Sequence, residues 1–334
     1  MLQSAWTDAG IELREVEPPP LASGSVRLKV AACGICGSDL HRWRHPSRGA
    51  PGATPGHELS GTIAEAREAL PEGLYVVEPW LICRNCEFCL GGNSQNCKNG
   101  RLVGVTVPGG FADFIDVPAS AIHLTDPSLS PLEASLTEPF GVCTRAVHLA
   151  HLTRDSRVLV LGAGSLGLIS GLLARDFAAR VAISARYPHQ QAAARALGLE
   201  PVAEADVEPL RSDFQPDVVI ETVGGEAGTI DQAMKVARPG GRIVVLGLFS
   251  TMPPFDARAL VQKELLLTGS RVFGQSERGS DFAAAVALLP RYHAELGVLQ
   301  THRFPLARLS EAFETANDKK SEAIKVTVTT NGQT

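Results

Sequence analysis

The run Arg157–Leu161 (RVLVL) leads straight into GAGSLG. Gly162, Gly164 and Gly167 form G-x-G-x-x-G between an apolar run and a helical pattern, Ser165–Ala178. Alone the motif is weak. In strand–turn–helix order it points to a parallel nucleotide-binding sheet. The first two glycines let the backbone approach a pyrophosphate, whose charge sits on the helix N-terminus beside Ser165 and Leu166. The third lets helix and sheet pack closely.

The alternation continues. Arg180–Ala185, Asp217–Glu221 (DVVIE), Arg242–Leu246 (RIVVL) and Leu265–Gly269 read as strands, with a helix over Gly228–Ala237. Thr222-Val223-Gly224 and Gly247-Leu248 then fall at strand ends, where such sheets bind ligands. Val223 and Gly247 are therefore candidate cofactor contacts. An NAD enzyme usually carries Asp or Glu at the end of the second strand. Here Ala185 stands there, followed by Arg186. With no carboxylate, nothing repels a 2′-phosphate, and Arg186 can pair with it. The sequence predicts NADP favoured over NAD, with Ser184 as a further donor and His189 a weaker one. The alternative is a solvated Arg186.

Two other stretches carry metal chemistry. CGICGSDLHRW (Cys33–Trp43) sets Cys36, Ser38, Asp39 and His41 close together, and His57-Glu58 follows in PGHELSG. Thiolate, imidazole and carboxylate are the ligand set of an open catalytic zinc site. Gly34 and Gly37 let the chain bend tightly there. Cys33 alone reads as a buried thiol. Asp39 could be a loop cap and His41 a surface histidine. Further on, Cys83, Cys86, Cys89 and Cys97 are spaced C-x2-C-x2-C-x7-C, matching a closed structural zinc site. An iron–sulfur cluster is possible from the spacing alone, but those motifs usually continue differently, often with a following proline. A nucleic-acid zinc knuckle would want more than Arg84, Lys98 and Arg101 nearby.

CGICGSDLH followed by GHE resembles the zinc-containing medium-chain dehydrogenase/reductase family, especially its sorbitol and threonine dehydrogenase-like branches. The cysteine spacing and the strand run of the nucleotide domain match it too, so the resemblance covers nearly the whole chain. It implies that Cys36 and His57 are zinc ligands and that Glu58 ligates or exchanges with water. Asp39 would orient the His57 imidazole. Ser38 would accept the substrate proton and His41 pass it outward. Glu138, in LTEPF, matches the position where relatives carry a third ligand, direct or through water. Read without the resemblance, Glu138 could be a charge at a helix start. Cys143 reads as a buried thiol. One departure stands out: Ala64–Leu74 is compressed relative to the family, ahead of a strand at Tyr75–Glu78.

Composition excludes other classes. Net charge is −5, with no long run of one sign, against nucleic acid or membrane as the main partner. The longest uncharged stretch, Val158–Ala174, is short for a membrane span and broken by glycines. The N-terminus lacks the pattern of a signal peptide. Seven cysteines in such a chain suggest a reducing compartment, hence a cytoplasmic location.

The α/β fold implied is a GroES-like, mostly β catalytic domain (1–145 and 271–334, with a zinc lobe at 80–100) around a Rossmann domain (146–270). The return would contain helices at Asp281–Leu289 and Leu309–Ala316, a strand at Ile324–Val328 and a frayed polar tail, Thr329–Thr334. The function implied is a zinc-dependent alcohol or polyol dehydrogenase. It would hold two Zn²⁺ per chain and NADP or NAD, act on a small-molecule alcohol or carbonyl, and form a homo-oligomer, dimer or tetramer. The competing reading is a catalytically silent protein that keeps both sites. A zinc-free quinone reductase is opposed by Cys36, His57 and the four-cysteine lobe.

Overall fold

The computed structural model describes residues 1–45, 51–276 and 279–330, so the end of the expected tail lies outside the described residues. The chain divides into two compact units, Met1–Gly141 with Phe273–Thr334, and Val142–Val272.

The first unit opens with a hairpin the sequence did not signal, β1 (Leu2–Thr7) and β2 (Gly10–Glu15). Strand β3 (Ser25–Gly34) alternates as expected, burying Val26, Leu28 and Val30 while Lys29 faces out. Helix α1 (Gly37–Arg44) follows at once. Strand β4 (Glu58–Ala66) returns antiparallel to β3, with Gly34 opposite Glu58. Strand β5 (Leu74–Val77) begins beyond the shortened connection, one residue earlier than read from the sequence. Strands β6 (Trp80–Leu81) and β7 (Arg101–Leu102) pair at the base of the cysteine lobe, which holds helix α2 (Glu87–Leu90). Strands β8 (Phe114–Pro118) and β9 (Ile122–Leu124) precede helices α3 (Pro131–Ala134) and α4 (Thr137–Ala150).

The second unit alternates strand and helix: β10 (Arg157–Leu161), α5 (Ser165–Arg175), β11 (Arg180–Ser184), α6 (Pro188–Ala196), β12 (Glu200–Val202), α7 (Leu210–Asp213), β13 (Val218–Glu221), α8 (Thr229–Val236), β14 (Arg242–Val245), α9 (Ala257–Gln262) and β15 (Leu266–Gly269). All neighbouring strands are parallel, in the order β12-β11-β10-β13-β14-β15. That order reverses beside β10, which makes the crevice at its carboxyl end. Val158–Leu161 are wholly buried, as expected when helices cover a parallel sheet. Helix α5 stops at Arg175, short of Ala178, with its last turn tightened by the Phe177 amide, which donates to the Ala174 carbonyl three residues back at 3.0 Å.

The chain then returns to the first unit through the short pair β16 (Gln275–Ser276) and β17 (Gly279–Ser280), helices α10 (Asp281–Leu288) and α11 (His293–Leu299), β18 (Gln300–Pro305), α12 (Leu309–Asn317) and β19 (Lys325–Thr329). Strand β19 pairs parallel with β18 and antiparallel with β3, Val328 opposite Cys33. The sheet order is β18-β19-β3-β4-β5-β9, with β8 also on β3. Phe313 of α12 meets the rings of Trp6 and Phe111, each at 5.7 Å between centroids. The two ends of the chain thus share one core.

Candidate active site

Strand pairing builds the first site. Because Gly34 faces Glu58, the residues just after β3 and just before β4 leave the sheet together. Cys36 sits before α1 and His57 before β4. Ligand atoms of Cys36, His57 and Glu58 all lie within 4.8 Å of one another. Gly34 is required there, since a Cβ would stand 2.2 Å from Glu58 Oε2. His57 is buried, and its Nδ1 has no hydrogen-bond partner among the described residues. An orphaned buried imidazole nitrogen beside a thiol and a carboxylate fits a metal ion.

The electrostatics agree. Burial alone would lower the His57 pKa, but Cys36, Asp39 and Glu138 together hold it well above the ordinary value. Glu138, in the first turn of α4, is buried and its carboxyl is pushed up to about 7, first by burial and further by Glu58 and Asp39. Glu138 does not belong to the 4.8 Å group. Asp39, Glu58 and Glu138 are buried acidic groups beside the half-buried Cys36, a setting that would favour a divalent cation.

Lys325, on β19, is the residue sequence reasoning missed. Its Nζ donates to Glu58 Oε1 at 2.8 Å and Oε2 at 2.7 Å, and to the Ile35 carbonyl at 3.2 Å. Both side chains of the pair are 2% exposed. No local pattern marked it; a lysine within an alternating strand normally faces water. Asp39, buried at the third position of α1, accepts the Cys36 amide at 3.0 Å, and its charge acts on His57 as well. Ser38 is exposed and His41 half-buried, three residues apart on α1 and so on one face. His41 also meets the ring of His45 at 5.2 Å. Cys33 is buried, as expected, and donates weakly to the Gly34 carbonyl.

In the lobe, Cys83, Cys86, Cys89 and Cys97 form the second group within 4.8 Å. Sulfur separations are 3.6 Å (Cys86–Cys89), 3.9 Å (Cys86–Cys97) and 3.5 Å (Cys97–Cys83). Four sulfurs at ~2.3 Å from a central zinc stand about 3.8 Å apart, so the cage has the right size. The Asn85 amide, above all, brings the Cys83 thiol down to about 6, whereas burial pushes Cys89 up to about 12. Among the described residues no cysteine forms a disulfide.

The glycine turn after β10 is organised for close approach. Gly162 has φ +95°, and a Cβ on Gly167 would stand 1.7 Å from the Gly162 carbonyl oxygen. Gly164, at the N-cap of α5, faces open space. Ser165 and Leu166 begin the helix, and the Leu166 carbonyl accepts the buried Cys143 thiol at 3.2 Å. Ser184 accepts the Gly162 amide at 3.1 Å, tying the turn to the end of β11. Glu221, wholly buried, accepts Val223 N at 2.8 Å and Gly224 N at 2.9 Å. A Cβ on Gly247 would meet Glu221 Oε2 at 2.4 Å. These contacts put Val223 and Gly247 at the carboxyl edge of the sheet. Ala185 is buried, Arg186 is exposed, and His189 stacks on Tyr187. The expectation that no carboxylate faces this corner does not hold: Glu204 Oε2 lies 3.0 Å from Arg186 Nε.

Residues 22–127 match the family described as alcohol dehydrogenase GroES-like domain, and residues 165–290 match zinc-binding dehydrogenase. The chain is 30% identical over 329 residues to L-galactonate-5-dehydrogenase of Escherichia coli K12, covering 95% of each. It is 32% identical to L-threonine 3-dehydrogenase of Saccharopolyspora erythraea, covering 92% of each. Among solved structures, a zinc-binding dehydrogenase from Sinorhizobium meliloti 1021 bound to NADP superposes with a TM-score of 0.87 at 26% identity, covering 98% of this chain and 99% of that one.

Proposed function

Because this chain belongs to the zinc-containing medium-chain dehydrogenase/reductase family, we propose that it is a zinc-dependent oxidoreductase moving a hydride between an alcohol and NAD(P). The substrate class is a polyol, cyclitol, amino alcohol or simple secondary alcohol; the relatives' names, galactonate and threonine dehydrogenases, support this range. The observation that carries the reading is the group of half-buried Cys36 with buried His57 and Glu58, in which His57 Nδ1 has no hydrogen-bond partner among the described residues.

Cys36 and His57 would hold the catalytic zinc, with Glu58 and Glu138 as the exchangeable carboxylates. Bound there, zinc supplies Lewis acidity that lowers the pKa of an alcohol. The four lobe cysteines would hold a second, structural zinc. A bound nicotinamide cofactor would supply the hydride acceptor, and the Gly162–Gly167 turn with Ser165 and Leu166 would hold its pyrophosphate. On the protein side, Ser38 Oγ takes the hydroxyl proton and His41, on the same helical face, passes it to solvent. Lys325 holds the charge of Glu58 in place. Asp39 fixes the Cys36 backbone.

A homo-oligomer is part of the reading. β15 is an edge strand, and Leu266 (52% exposed) on it and Val261 (75%) on α9 just before it leave apolar surface that a second copy would cover. The count of seven cysteines, in a pattern suited to metal ligation, supports a cytoplasmic location. No helix among the described residues is long and apolar enough to cross a membrane. The test is a panel of alcohols and carbonyls assayed separately with NAD and NADP, with zinc counted per chain. Two zinc ions and turnover of a secondary alcohol are expected; two zinc ions and bound nucleotide with no turnover across the panel would favour the silent alternative.

A further inference from the structure

The second strand of the sheet ends without a carboxylate: Ala185 is wholly buried, its amide donating to the Val202 carbonyl at 2.9 Å. That bond continues the parallel pairing of β11 with β12, Ser184 opposite Val202. The two strands therefore end side by side, and the residues after each leave the sheet together. Arg186 follows β11 and Glu204 follows β12, and the two meet at 3.0 Å, both well exposed. The backbone beneath Arg186 is fixed, because Gln190 Oε1 accepts the amides of Arg186 and Tyr187 at 3.2 and 3.3 Å. Only the side chains are free to change partners.

We propose that Glu204 is a specificity-determining residue that opposes a 2′-phosphate at this corner and so restrains the preference for NADP that Ala185 and Arg186 would otherwise give. The inference rests on reading the GAGSLG turn as the pyrophosphate site. A phosphate monoester carries about −1.5 to −2 charge at neutral pH and pairs with a guanidinium through two oxygens. To do so here it has to take Arg186 from Glu204 and then stand beside the released carboxylate. The 2′-hydroxyl of NAD carries no charge and meets no such repulsion. The role of the missing strand-end carboxylate is thus taken over, in part, by a residue from the neighbouring strand. Because the pair is exposed, the effect is modest and salt-dependent.

The test measures dissociation constants of NADP, NAD and 2′,5′-ADP by calorimetric titration for the wild type, Glu204→Gln, Arg186→Ala and the double variant, at low and moderate salt. Glu204→Gln is expected to tighten NADP and 2′,5′-ADP roughly two- to five-fold, the size of an exposed ion pair, while NAD stays within about two-fold. The gain should be smaller in the Arg186→Ala background and should shrink with salt. An unchanged NADP affinity, or an equal gain for NAD, overturns the role of Glu204 while leaving the dehydrogenase reading intact. A wild type that binds none of the three nucleotides overturns both.

Discussion

Lys325 of β19 and Glu58 of β4 reach each other past the end of β3, the strand between them, with the lysine Nζ within 2.8 Å of both carboxylate oxygens and neither side chain more than 2% exposed. Glu58 belongs to the Cys36–His57–Glu58 group, so the last strand of the chain brings a lysine to a site built near its beginning. Removing the lysine leaves that carboxylate buried without its partner. Lys325→Met is expected to lower unfolding free energy by about 3–5 kcal/mol in denaturant titrations. Adding Glu58→Gln should restore part of the loss, because no unpaired charge remains. Equal destabilisation in single and double variants would show that the pair matters only as packing.

The two metal groups make separable predictions. Cys36→Ser should take the zinc count from two to one per chain and cut kcat/KM at least about a hundredfold, with the melting temperature nearly held. Cys97→Ser should also remove one zinc, but through loss of the lobe, with a lower melting temperature. Metal analysis beside thermal melts distinguishes them. Retention of both zinc ions in Cys36→Ser would remove it from the ligand set.

Ser38 is exposed and lies outside the metal group, so its substitution should spare both the metal and the fold. Ser38→Ala is expected to lower kcat about a hundredfold or more, the usual size of a lost proton-transfer group. The zinc count should stay at two. His41→Ala should cost less and shift the pH dependence of kcat, since solvent can replace the outer relay. A pH–rate profile of each variant is the measurement.

Glu138 gives a pH prediction for the zinc-stripped protein. Its folded carboxyl is pushed up to about 7 from an ordinary 4.5, by burial first. The folded state therefore holds this proton more tightly than the unfolded chain. The corresponding stability is full below pH 4.5 and lost as pH rises through 7, by about 3 kcal/mol in all. Glu138→Gln cannot ionise, so the stripped variant should lose this slope and exceed the stripped wild type above pH 7. Zinc favours the carboxylate, and reloading it should flatten the wild-type curve. Parallel slopes for both stripped proteins in urea titrations from pH 4 to 8 would refute the assignment.

The sequence by itself determined the parts whose chemistry is local. Four cysteines within one short loop can only converge, and G-x-G-x-x-G after an apolar strand needs no distant partner to be read. Cys36 and His57 were nameable as metal donors from residue type and neighbours. Only the tertiary structure decided which charges face one another. Lys325 reaches Glu58 from 267 positions away because β19 pairs with β3 and β3 with β4. Arg186 meets Glu204 because β11 and β12 run parallel in register. Spacing along a chain encodes what a few consecutive side chains can hold. Strand pairing brings distant residues within hydrogen-bonding reach, and buried charge is balanced there.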